Sequence, residues 1–132
     1  MDREKLVELY KKYNLEKNDV YKHQHYVIIT RAGIEKIAAI ENININYEVV
    51  KCETNFAVIK AYANIAAKPD IKIETFGSAL KGANYKDGNC NSWYVAEMAE
   101  KRALYRSVLK LTGFYELGVF GEDESDDFKK SK

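Results

Sequence analysis

Apolar positions along the chain keep a helical spacing in three stretches and switch to a period of two between them, so the alternation alone sketches an architecture. Leu6, Leu9, Tyr10 and Tyr13 make one stripe of a helix that Asp2 can cap. The segment from Val20 to Thr30 predicts a single strand. Thr30 then stands where an N-cap belongs, ahead of a short helix carrying Ile34, Ile37, Ala38 and Glu41. From Asn44 to Thr54, Ile45, Tyr47 and Val49 alternate with Asn46 and Glu48, the mark of a half-buried strand. A strand predicted from Phe56 to Ala66 puts Ala57, Ile59, Ala61, Ala63 and Ile65 on one side and Val58, Lys60, Tyr62 and Asn64 on the other. Lys68, Pro69 and Asp70 have turn chemistry, and Ile71 to Phe76 follows as the third strand of a meander. The next residues, GSALKGANYKDGN, hold three glycines without periodicity and predict a loop.

The last long pattern, Ser92 to Gly113, predicts a helix with two unlike surfaces, capped by Asn91 or Ser92. Ala96, Ala99, Ala103 and Ser107 share one narrow side, so a sheet lined with small residues can approach closely there. Arg102, Arg106 and Lys110 stack at intervals of four along a separate stripe. Like charges at that interval repel by roughly 0.2–0.5 kcal/mol per pair in an isolated helix, so something else should favour them. A solvated face with snorkelling side chains is one explanation, and a polyanion held along the ridge is the other. The predicted fold class is α+β: a three-stranded antiparallel β-meander, plus a short preceding strand, packed against the long C-terminal helix as a β-β-β-α core.

Composition adds boundaries to this sketch. With 132 residues, 46% hydrophobic, and a single proline, the chain suits one folded domain over residues 1–117, followed by a charge-dense, disordered tail over 118–132. No apolar run approaches a membrane span and the N-terminus lacks a signal-peptide core, which predicts a cytoplasmic protein. Cys52 and Cys90 are far apart and suit a reduced intracellular pair. The acids Glu122, Asp123, Glu124, Asp126 and Asp127 crowd into the tail, while the first 121 residues hold 18 bases against 15 acids. A mildly basic body with an acidic tail is an arrangement found in nucleic-acid binders.

Catalytic chemistry has little to work with. His23 and His25 share a face of the predicted strand, but nothing joins them into a metal set, and the chain lacks a P-loop, a GxSxG elbow and a dinucleotide fingerprint. A non-enzymatic protein without metal or cofactor is expected. Basic and aromatic side chains alternate on the meander instead: Tyr47 with Lys51 on one strand, Lys60 with Tyr62 on the next. That mixture suits single-stranded nucleic acid, because the cations neutralise phosphates while rings stack on bases. A steep fall of affinity with salt is the corollary. RNA stays an alternative to DNA, since neither contact reads the sugar.

The acidic run followed by Phe128 is similar to the C-terminal tips of bacterial and phage single-stranded-DNA-binding proteins, which implies recruitment of replication or recombination partners through Glu122, Asp123, Glu124, Asp126, Asp127 and Phe128; Lys129, Lys130 and Lys132 depart from those tips. The order YVIITRAGIEKIAAIENI, NYEVVKCE, FAVIKAYANI to IKIETFG, then AEMAEKRALYRSVLKLTG resembles the Rad-fifty-two-like single-strand annealing superfamily over about residues 24 to 115. The resemblance implies a core that assembles into a homo-oligomer, binds single-stranded DNA in a basic groove and anneals complementary strands, in a bacterial or phage-infected cell. Matching the family's terminal helix glycine to Gly113 carries DNA contact onto Arg106, Lys110 and Arg102. A usually basic family position falls on Ser107, and Lys51, Lys60, Lys72, Lys81 and Lys86 are the candidates for the rest of the groove. Two alternatives stand beside annealing: a replication single-stranded-DNA-binding protein, and an adaptor whose ridge meets an acidic protein.

Overall fold

The computed structural model describes residues 3–23, 26–82 and 94–122. Helix α1 (Arg3–Lys12) leads through a short 3₁₀ turn, Lys17–Asp19, into strands β1 (Val20–His23) and β2 (Tyr26–Ile29) and then helix α2 (Arg31–Glu41). A meander of β3 (Ile43–Cys52), β4 (Phe56–Ile65) and β5 (Lys68–Leu80) follows, then α3 (Val95–Thr112) and a closing strand, β6 (Val119–Gly121). The α+β class and the meander packed against a long C-terminal helix agree with the sequence pattern.

Thr30 does cap α2: its hydroxyl accepts from the Gly33 N–H at 3.3 Å, and Asn42 closes the helix in the left-handed region. Gly113, at φ 88°, ends α3 as its position after the last apolar residue suggested. Helix α3 begins at Val95; the expected caps Asn91 and Ser92, like Asp2, lie outside the described residues.

Four elements differ from expectation. The segment from Val20 to Thr30 is an antiparallel hairpin, with Val20 opposite Ile29, and not one strand. His23 ends β1, and its predicted face-mate His25 lies outside the described residues. The turn after β4 is Ala66–Ala67, and β5 starts already at Lys68. Strand β5 also runs on through Gly77 to Leu80, where the glycines suggested loop. Finally, the tail boundary at 118 is too early: β6 pairs in parallel with β2, Val27 opposite Val119, and Val119 is fully buried. Three residues are too few to show a period, which is why the strand is hidden between Gly118 and the acidic run.

Two sheets result, ordered β1-β2-β6 and β3-β4-β5, and α3 serves both. Its C-terminal half lies in the larger core, where Tyr105, Val108 and Leu109 meet Leu6, Tyr13, Ile29, Ile34, Phe114 and Val119. Its N-terminal half, with Val95 and Ala99, covers Ala57, Ile59 and Ala79 of the meander. No helix among the described residues is long and apolar enough to cross a membrane.

Asp19 ties the N-terminal elements together. Its carboxylate accepts from the Glu16 N–H at 2.9 Å and from Lys36 Nζ at 2.7 Å, and its carbonyl accepts from the Thr30 N–H at 2.8 Å. The Glu16 N–H first, then Lys36, hold its carboxyl below the ordinary carboxylate range. A lowered native pKa stabilises the fold in full above the unfolded value of about 4 and ceases to do so as pH falls through the native value. Asp19→Asn is therefore expected to cost about 1–3 kcal/mol at neutral pH, with the gap to wild type closing in acid. Urea denaturation of both proteins across a pH series measures it; a gap independent of pH contradicts the assignment.

Candidate functional site

The basic stripe on α3 meets β5, an edge strand of the meander. Arg102 is 1% exposed and its guanidinium donates to the Ser78 carbonyl at 2.7 Å. One turn later Arg106 donates to the Phe76 carbonyl at 2.7 Å. The spacing is a match of periods: four helical residues advance about 6 Å and two strand residues about 6.6 Å. An edge strand offers carbonyls that no neighbouring strand satisfies, and arginines at intervals of four along an antiparallel helix meet alternate ones. Repulsion along the stripe is thereby offset by neutral acceptors within the protein. Arg102 leaves the set of expected nucleic-acid contacts, because a side chain buried to this degree reaches no phosphate. Ser107 is also buried, with its hydroxyl 2.7 Å from that of Thr75, so a base at that position would have no room. Lys110 stays exposed, its ammonium 5.1 Å from the centre of the Tyr115 ring.

The face of the meander turned away from α3 gathers most of the remaining candidates. Pairing sets Lys60 opposite Phe76, Tyr62 opposite Glu74 and Asn64 opposite Lys72, and on the other flank Glu48 opposite Lys60 and Asn46 opposite Tyr62. Since paired residues point to one side, all of these share the outer face. Lys60 Nζ lies 4.9 Å from the Tyr62 ring centre and 5.5 Å from that of Phe76, within cation–π range of both. Tyr62 is 36% and Phe76 50% exposed, so their rings are open to a flat ligand. Beside them a groove of about 490 Å³ is lined by Asn44, Asn46, Tyr62, Asn64, Lys72 and Glu74.

Carboxylates temper this face. The Tyr62 hydroxyl donates to Glu48, which raises the phenol's pKa, and Lys60 Nζ lies 3.5 Å from Glu74. The Tyr62 hydroxyl and then the Glu74 charge raise the Lys60 pKa, keeping it a cation. Lys51 pairs with Glu53 at 3.3 Å. Stacking and amide hydrogen bonding are therefore the stronger capacities here, and phosphate neutralisation the weaker.

Lys51 reaches this face by an irregularity that the period of two does not reveal. The register against β4 shifts between Val49 and Lys51, so Tyr47 pairs with Ala61 on the α3 side while Lys51 pairs with Val58 on the outer side. Tyr47 and Lys51 thus lie on opposite faces. Burial, then the charge of Glu100 on α3, pushes the Tyr47 phenol up to about 12. Lys81 sits past the end of β5, its ammonium donating to the Gly82 carbonyl at 3.3 Å. Glu122 accepts from the Arg31 N–H at 3.3 Å, at the start of α2. Lys86, Asp123, Glu124, Asp126, Asp127 and Phe128 lie outside the described residues.

Phe76 is the functional candidate that the sequence pattern passed over. The signal was present, because Lys72, Glu74 and Phe76 share one parity, but it requires knowing which face α3 covers. Among the described residues no three metal-ligating side chains cluster. No family model, curated protein or solved structure matches the chain.

Proposed function

We propose that this chain binds single-stranded DNA across the outer face of its meander, without enzymatic chemistry, and promotes annealing of complementary strands in the cytoplasm. The observation that carries the reading is the cation set between two exposed rings, Lys60 between Tyr62 and Phe76. Unpaired bases stack on such rings, whereas a duplex keeps its bases stacked on one another and offers only backbone. Lys72 on the same face and Arg106 at the β5 edge supply phosphate contacts, Lys110 on α3 adds an exposed cation beside Tyr115, and the asparagine-lined groove accommodates a base edge.

Fluorescence anisotropy with labelled single- and double-stranded oligonucleotides over a salt series tests this. Single strands are expected to bind more tightly. Because Lys51 and Lys60 already face glutamates, the slope of log K against log salt should be far shallower than for a strongly basic groove. Equal affinity for duplex and single strand overturns the proposal. Mixing complementary oligonucleotides with the protein then separates annealing from simple protection. The interleaved glutamates Glu48 and Glu74 favour a second reading, an adaptor that presents this face to a protein; absence of any oligonucleotide binding at low salt selects it.

A further inference from the structure

Strand β3 is the opposite edge of the meander, and no strand among the described residues pairs with its outer side. Its middle is unusually apolar for an open edge: Val49 is 63% and Val50 52% exposed. Open strands are ordinarily shortened, charged or bulged against pairing with another chain. Here the bulge changes what the edge can pair with.

Because the register shifts between Val49 and Lys51, Val50 is the extra residue. Tyr47 and Cys52, opposite Ala61 and Ala57, face α3, while Glu48 and Lys51, opposite Lys60 and Val58, face outward. In a regular strand, residues three apart point to opposite faces. The bulge puts Glu48 and Lys51 on the same one. Two copies of β3 laid antiparallel about the point between Val49 and Val50 then match in every position: Glu48 meets the partner's Lys51, Val49 the partner's Val50, Tyr47 the partner's Cys52, and the reverse set repeats by symmetry.

We propose that β3 is a homodimer interface, joining two meanders into a continuous six-stranded sheet about a two-fold axis, with two symmetric Glu48–Lys51 pairs as its register marks. The other edge is unsuited to this role, since α3 already holds the Ser78 and Phe76 carbonyls of β5. The Lys51–Glu53 pair within one chain is exposed, each side chain at 53%, and exposed pairs exchange partners at little cost. An isologous pair of this kind closes on itself, unlike a ring built from head-to-tail contacts. The interface does not rest on nucleic-acid binding, although Glu48 also accepts from the Tyr62 hydroxyl on the outer face.

Sedimentation velocity of the full chain over a concentration series tests it. Wild type is expected to dimerise. Glu48→Lys places like charges opposite each other twice, as does Lys51→Glu, and each should weaken the dimer roughly tenfold or more. The two single variants mixed together should form a heterodimer, because each then offers the charges the other needs, and the double variant carrying both changes should dimerise like wild type. Rescue by mixing cannot come from misfolded chains. A wild-type protein that stays monomeric, or single variants that dimerise as well as wild type, or a mixture that fails to associate, overturns the proposal.

Discussion

Gly77→Ala is expected to destabilise the protein by about 3 kcal/mol or more, at or beyond the upper end of what overpacking usually costs, because the neighbour is backbone that cannot yield. A Cβ on Gly77 would lie 1.9 Å from the Ala99 carbonyl oxygen and 2.6 Å from the Ala103 nitrogen, and both are helix backbone. Side chains can rotate away from an intruding methyl, but a helix turn moves only as a body. Moving α3 off β5 would stretch the Arg102–Ser78 and Arg106–Phe76 hydrogen bonds and the contact of Thr75 with the Ala103 carbonyl at 2.9 Å. Gly113→Ala is the matched control. It stands in the left-handed region at φ 88° with nothing within 4 Å of an added Cβ, so it should cost only about 1 kcal/mol through backbone strain. Thermal and denaturant melts of the two variants measure the difference. Equal losses would mean that α3 does not sit on Gly77 as described.

That glycine also shows where reading the chain stops short. Three glycines without periodicity signal a loop, and only the helix lying on β5 reveals that Gly77 is a strand residue without a side chain because another backbone needs the space. The alanine side of β4 and the alanine stripe of α3 were legible because both arise from regular periods, and they do meet. Lys60 and Tyr62 were legible as face-mates for the same reason. Tyr47 and Lys51 were not, since a single inserted residue at Val50 reverses every parity beyond it. Arg102 misleads most. A charge at regular helical spacing is normally solvated, and the strand carbonyl that accepts from it lies 24 residues away in the sequence, where no local pattern can point to it.

Removing both rings from the outer face is expected to produce the largest loss of binding. Stacking contributes about 1–3 kcal/mol per base by alanine substitution, so Tyr62→Ala and Phe76→Ala should each weaken single-stranded DNA binding by about five- to 150-fold. Lys60 contacts both rings, which couples the sites, so the double variant should lose less than the product of the two. Two features separate this from general damage. Both rings are exposed, so the melting temperature should change little, unlike that of Gly77→Ala. Tyr62→Phe keeps the ring and removes only the hydroxyl that donates to Glu48. It should bind like wild type or somewhat better, because Glu48 no longer fixes the ring's edge and no charge is added. Competition titrations with an unlabelled oligonucleotide supply the affinities. Affinity retained in the double alanine variant would move the binding site off this face altogether, toward Lys110 and the α3 side of β5.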